Sequence, residues 1–234
     1  MSQRMNELGQ PIGFEVAGWT PRPHPPREPM QGCYVRLEPI NVEAHTADLF
    51  EAFAADAENR IWTYLPYGPF VTQQELADWI GGSCFGDDPL FHAIVDLESG
   101  KAEGVASYLR IEPAVGVIEV GHINYAPALQ KTRGATEAMY LMMKRAFDEL
   151  GYRRYEWKCD ALNAGSCAAA KRLGFTYEGQ FRQATMYKGR NRDTNWYSIL
   201  DTEWPALAAA YEAWLDPANF DEQGRQKKSL RTGD

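Results

Sequence analysis

Hydrophobic positions along the chain recur with two periods, and the order in which those periods alternate predicts a mixed α/β domain. Residues 33–38, Cys-Tyr-Val-Arg-Leu-Glu, alternate as a strand does, and the stretch after them places Leu49, Phe50 and Phe53 on one helical face. Thr72 followed by Glu75 forms a capping box ahead of Leu76, Trp79 and Ile80, which predicts a second helix. Residues 90–97, 103–111 and 115–125 read as three strands, with Ser99-Gly100 and Pro113-Ala114 as turns, so an antiparallel meander is expected. Met139, Met142, Met143, Ala146 and Leu150 then recur at helical spacing over residues 134–150, and Gly151 supplies the left-handed stop. Tyr155, Trp157 and Cys159 alternate with Arg154, Glu156 and Lys158 in a further strand. A helix follows over about 164–173, then strand-like stretches at 176–187 and 195–200 on either side of a basic turn at 188–192, and a last helix at 203–215. No internal repeat is present. Strands first, then strand–helix–strand–helix–strand, predicts one α/β (α+β) domain with a mixed, mostly antiparallel sheet and helices on both faces.

Composition trims the ends of this domain. Six of the 14 prolines fall in residues 1–30, which therefore cannot supply the backbone donors of a helix or inner strand. Residues 1–30 are read as a proline-rich arm whose Phe14, Val16 and Trp19 lie against the domain or a second subunit, so a homodimer is possible. The folded domain spans 31–215, and 216–234 read as a polar tail. With 234 residues, 44% apolar and 24% charged, the chain can bury a full core. No window is apolar enough to span a membrane and the amino end lacks the apolar stretch of a signal peptide, so a cytoplasmic protein is expected. The four cysteines match neither zinc nor redox spacings and are read as free thiols, and no metal is expected.

A net charge of −8 argues against nucleic acid and anionic membranes as partners. The charge is unevenly placed. Residues 130–192 hold 13 Lys and Arg against six Asp and Glu, while the remainder holds 11 against 26. Inside the basic segment, a strand ends at Tyr125 and Gln130, Lys131, Thr132, Arg133, Gly134, Ala135 and Thr136 open the long helix. Free amides at a helix start, its positive dipole end, two cations and a glycine make a cradle suited to a pyrophosphate. The stretch is neither a Walker loop nor a dinucleotide fingerprint.

Gln-x-x-x-Gly-Ala at that helix start, followed by Asn163-Ala164-Gly165-Ser166, Leu173-Gly174-Phe175 and Glu178-Gly179, resembles the GNAT superfamily of acetyl-coenzyme A dependent N-acetyltransferases. The resemblance covers about residues 33–202 and is nearest to the branch containing ribosomal-protein N-terminal acetyltransferases. It implies a sheet splayed in the middle, between its fourth and fifth strands, with the coenzyme in the gap. The pantetheine arm would pair with the backbone around Val120, Gly121 and Ile123, on to Tyr125. Residues Gln130 to Ala135 would hold the pyrophosphate, and Asn163 would flank the pantetheine and adenosine. Two departures stand out: the loop has Arg133 where the family favours glycine, which is displaced to Gly134, and Ala170 occupies a place where many members carry a tyrosine.

Acetyl transfer to an amine needs a neutral nitrogen, a donor for the oxyanion and a proton for the departing thiolate. A backbone amide near Gly121 or His122 is the expected donor. Glu119 and His122 are the candidate bases, Glu119 favoured; on a regular strand they point to opposite faces, so only a bulge lets both reach the substrate. Ser166 occupies the Ser of the branch's Asn-x-x-Ser pattern and is the candidate acid. Trp62, Tyr64 and Tyr67, in a loop that shapes the acceptor pocket in related folds, are candidate substrate contacts, joined by Asp193 and Tyr197 from the resemblance. The implied function is N-acetyl transfer from acetyl-CoA to a primary amine, of a protein N-terminus or a small molecule. The alternative is a non-catalytic acyl-CoA-binding or sensing protein.

Overall fold

Six antiparallel pairings and one parallel pairing join eight strands into a single sheet in the computed structural model, which describes residues 4–230 and Thr232. A small hairpin of β1 (Arg4–Met5) and β2 (Pro11–Ile12) stands apart from it. The sheet begins with β3 (Met30–Gln31) and β4 (Val35–Pro39), followed by α1 (Val42–Ala54) and α2 (Gln73–Ser83). The meander is β5 (Leu90–Asp96), β6 (Ala102–Glu112) and β7 (Val117–Tyr125). Next come α3 (Arg133–Lys144), which widens into a π-turn over Arg145–Glu149, β8 (Arg154–Asp160) and α4 (Ala164–Arg172). The chain then forms β9 (Thr176–Tyr187), β10 (Arg190–Leu200) and α5 (Trp204–Leu215). Spatial order across the sheet is β3-β4-β5-β6-β7-β8-β10-β9, and only β7 and β8 run parallel.

Each predicted element forms, and half of the capping box closes as read: Thr72 Oγ1 accepts from the Glu75 amide at 3.2 Å, while the Glu75 carboxylate accepts from the amide of Val71, one residue before the cap, at 2.7 Å. One boundary moves. The basic turn contracts to Lys188-Gly189, both with left-handed φ (49° and 70°), so Arg190, Asn191 and Arg192 join β10 as the first residues of a two-residue hairpin.

Two apolar layers hold the sheet. On one face α3, α4 and α5 cover Val35, Leu37, Ile94, Tyr108, Val120 and Trp157; on the other α1 and α2 cover Phe91, Ala93, Val95 and Val105. A buried carboxylate fixes α3 to the first long strand. Glu137 accepts hydrogen bonds from the amides of Cys33, Tyr34 and Val35 at 2.7, 2.6 and 2.8 Å, and a Cβ at Gly32 would lie 2.4 Å from its Oε2, so only glycine fits there. Glu137→Ala orphans three buried amides and is expected to lower stability by about 3–5 kcal/mol, read by urea unfolding. A loss below about 1 kcal/mol would show that water replaces the carboxylate.

Parts of both terminal segments lie against the domain. Trp19 sits over Gly116 and donates to the Ala114 carbonyl at 2.8 Å, and Arg145 donates to the carbonyls of Glu28 and Pro29 at 2.6 and 3.0 Å, while Phe14 and Val16 stay exposed. The expected polar tail needs correction. Phe220 is buried against Trp214 and Tyr34, with ring centroids 5.1 and 6.0 Å away, and Asn219 donates to the Trp214 and Lys228 carbonyls at 2.9 and 3.1 Å. One aromatic side chain with a place in the core is enough to fold the segment back. No helix among the described residues is long and apolar enough to cross a membrane.

Candidate active site

The parallel pair β7/β8 is joined only from Val117↔Arg154 to Val120↔Trp157; beyond that the strands part, while β6 stays paired to β7 as far as Tyr125. The β8-facing edge of residues 121–125 is therefore open to an extended ligand. A cleft of about 1310 Å³ occupies this gap, with Ile123, Asn124 and Tyr125 on one wall, Trp157, Asn163 and Ser166 on another, and all of Gln130 to Thr136 at its end. Val120 and Gly121, expected at the coenzyme, do not line it: Val120 is buried under α3 and still paired with β8.

The helix start is arranged for an anion. Thr132 caps α3 with Oγ1 accepting from the Ala135 amide at 3.1 Å, and the amides of Arg133 and Gly134 make no hydrogen bond among the described residues. The displaced glycine has another purpose. A Cβ on Gly134 would meet Val35 Cγ1 at 2.8 Å, so glycine lets α3 approach β4. The Arg133 guanidinium lies over Tyr34 at 4.2 Å and over Phe220 at 5.5 Å, held by two rings with no carboxylate partner among the described residues. Arg172, which the sequence reading passed over, also lines the cleft; its Nη1 donates to Thr136 Oγ1 at 3.1 Å and it lies over Trp214 at 5.2 Å. Its signal was the charge of the basic segment. Tyr34, Trp214 and Phe220 gave none, because their meeting joins opposite ends of the chain.

At the inner end of the cleft, α4 is capped by Asn163, whose Oδ1 accepts from the Ser166 amide at 3.0 Å. The Ser166 hydroxyl is thus spared from capping. It accepts from Trp157 Nε1 at 3.0 Å, a bond that does not use its own proton, and has the Cys159 thiol as a neighbour. Ala170 is fully buried and does not line the cleft, so in this chain the position cannot present a side chain to it.

A β-bulge decides where the candidate bases point. Ser107 pairs with Gly121 and Val105 with Asn124, so two residues of β7, His122 and Ile123, oppose the single Ala106, and His122 takes a φ of 51°. Glu119 and His122 consequently share the face opposite α3. Glu119 is 3% exposed and its oxygens are occupied: Oε1 meets Arg110 Nη1 at 2.7 Å and Oε2 meets Lys158 Nζ at 2.9 Å. Lys158 also pairs with Glu156 at 2.7 Å. Burial raises the Glu119 pKa against the lowering by Lys158 and Arg110, and the network makes it an anchor of neighbouring strands. His122 is freer. Its Nδ1 lies 3.2 Å from Tyr67 Oη, its ring stacks on Tyr67, and burial, then Arg110 and Arg192, pushes its pKa down to about 4, so it is neutral near pH 7.

The acceptor-side residues divide. Tyr67 touches His122, and Tyr64 donates to the Leu162 carbonyl at 3.0 Å, tying its loop to the end of β8. Trp62 is core instead, packed on Phe53 and Phe70. Asp193 clamps an irregular stretch of β9, accepting from the Gln183 amide at 2.7 Å and from Gln180 and Asn191. Tyr197 requires correction: its register opposite Trp157 turns it into the α3 face, where it is 2% exposed, and Trp196 beside it faces the acceptor side with Lys158 Nζ 3.9 Å from its ring centroid. No three His, Cys, Asp or Glu side chains converge as a metal site among the described residues.

Comparison with known proteins agrees with this geometry. A family model described as an acetyltransferase (GNAT) domain matches residues 35–176. A GCN5-related N-acetyltransferase structure from Brucella melitensis is 49% identical, covering 92% of this chain and 97% of its own, with a TM-score of 0.90. A probable GNAT-family acetyltransferase from Chromobacterium violaceum is 43% identical over 84% of this chain and 98% of its own, with a TM-score of 0.78. The fold also matches RimL, a ribosomal L7/L12 alpha-N-protein acetyltransferase solved with coenzyme A, at 22% identity, 74% and 98% coverage and a TM-score of 0.63. A search of curated proteins found no match.

Proposed function

The chain belongs to the GNAT acetyltransferase family and is an acetyl-CoA-dependent acetyltransferase, and on that footing we propose that it acetylates a primary amine, of a protein N-terminus or a small molecule, with both substrates bound together. The observation that supports this most is the coincidence, in one cleft, of an open strand edge, a helix start with unbonded amides and cations, and the spare hydroxyl proton of Ser166.

Acetyl-CoA, when bound, supplies an activated thioester. The amides of Arg133 and Gly134, with Lys131, Arg133 and Arg172, hold its diphosphate, and the free edge of residues 121–125 receives its arm as an added strand. The backbone at the bulge, Gly121 or His122, donates to the oxyanion. His122 takes the amine's proton directly or through water, and Ser166 protonates the departing sulfur. Glu119 positions β7 and β8. The burial that chiefly keeps His122 neutral, with Arg110 and Arg192 adding to it, equally favours the neutral, nucleophilic form of an amine bound beside it.

The test is thiol release from acetyl-CoA with a panel of amines and peptides, followed by mass analysis of the acceptor. Acetylated amine formed in step with free thiol is expected. Thiol release with an unmodified amine, or transfer only to hydroxyls, would contradict N-acetylation.

A further inference from the structure

The face of the sheet on which His122 opens carries two kinds of cation. Arg110, Lys158 and Arg154 are matched: they pair with Glu119, Glu156 and Glu178 at 2.5–2.9 Å, a closed set. Lys188, Arg190 and Arg192, on the β9–β10 hairpin, have no carboxylate partner among the described residues. Lys188 Nζ donates to the Trp62 carbonyl at 2.8 Å and Arg190 Nη2 to the Thr63 carbonyl at 3.0 Å, which docks the hairpin onto the aromatic loop that carries Tyr67. The carboxylates nearby are committed elsewhere. Asp160 accepts from Tyr187 Oη at 2.6 Å and from the Leu162 amide at 2.8 Å, and Asp193 holds β9.

Arg192 is the least committed of the three. Strand alternation puts Arg192, Thr194 and Trp196 on one face, and the pairing of Trp196 with Lys158 makes it the face of Glu119 and His122. Arg192 Nε donates to Thr194 Oγ1 at 3.1 Å, and the guanidinium lies 5.9 Å from the Tyr187 ring centroid. Both of its Nη groups lack a hydrogen-bond partner among the described residues. A planar fork held by its Nε, with its outer nitrogens free, is suited to a planar anion.

Resting on the transfer reading above, we infer that the acceptor is an amine carrying a carboxylate a few bonds from its nitrogen, and that Arg192, backed by Lys188 and Arg190, binds that carboxylate and selects against cationic amines. A free amino acid and a peptide N-terminus followed by an acidic residue share this chemistry. A polyamine would meet three unmatched positive charges at the same place and be repelled.

The experiment compares kcat/KM across acceptors matched except for charge: amino acids against their amides, peptides with Asp or Asn at the second position, and a diamine. At least about a tenfold preference for the acidic member is expected, as a charge-assisted contact gives. The two pairs distinguish the free amino acid from the acidic N-terminus as the source of the carboxylate. In Arg192→Gln the preference should collapse towards unity, and Arg192→Lys should retain part of it, a ratio that a loss of folded protein alone would not move. Equal or faster turnover of neutral or cationic acceptors by the wild-type protein, or an undiminished preference in Arg192→Gln, overturns the inference while leaving N-acetylation standing. Absence of thiol release with every amine would count against the transfer reading itself.

Discussion

Ser166→Ala is expected to lower kcat by about 10²- to 10⁴-fold, the range for a lost general acid, with the KM for acetyl-CoA little changed. The expectation rests on how the hydroxyl is used. Asn163 has taken over the capping of α4, so Ser166 bonds no backbone amide, and its oxygen accepts from the Trp157 indole, leaving the proton directed elsewhere. Loss of the acceptor also strands the Trp157 N–H, which costs about 1–3 kcal/mol of stability. Comparing Ser166→Ala with Trp157→Phe separates the two effects: the second variant removes the indole donor and spares the hydroxyl proton. Steady-state kinetics with acetyl-CoA and one acceptor reads both. Unchanged kcat in Ser166→Ala would remove the residue from the chemistry.

The second large effect concerns binding. Replacing Lys131 and Arg133 together with alanine is expected to weaken acetyl-CoA binding by about 10²-fold, since charge-assisted bonds contribute about 1.5–3 kcal/mol each and about 1.4 kcal/mol corresponds to a factor of ten. Most of the loss should come from Arg133. Tyr34 and Phe220 already hold its guanidinium over the cleft, so little side-chain freedom is surrendered on binding, whereas the exposed Lys131 must give up its side-chain freedom to bind. Calorimetry at several salt concentrations should show a shallower salt dependence in the double variant. An unaltered dissociation constant would mean that the diphosphate lies elsewhere.

The order of elements was legible because each long run kept one period, and the Thr72 cap has a local signature. The cleft end was legible for the same reason: a helix start followed by cations is a property of adjacent residues. What escaped depends on register or on distant contacts. Tyr197 faces the core because β10 pairs with β8 in one register and not its neighbour, and one residue of slip exchanges the two faces. Whether Glu119 and His122 share a face turned on a bulge that the residues Gly121-His122-Ile123 do not announce. Glu119 was read as a base because it lies near the expected thioester. Its occupation by Arg110 and Lys158 required three strands to be brought together. Phe220 was hidden in a polar stretch, since a single aromatic residue gives no periodicity.

The most direct test of the central claim is a crystal structure of the protein grown with acetyl-CoA. The diphosphate is expected on the amides of Arg133 and Gly134 beside the Arg133 and Arg172 guanidinium groups, the arm along residues 121–125, and the thioester sulfur next to Ser166. Coenzyme bound outside the gap between β7 and β8, or a cleft without it at saturating concentration, would show that this gap is not the coenzyme site.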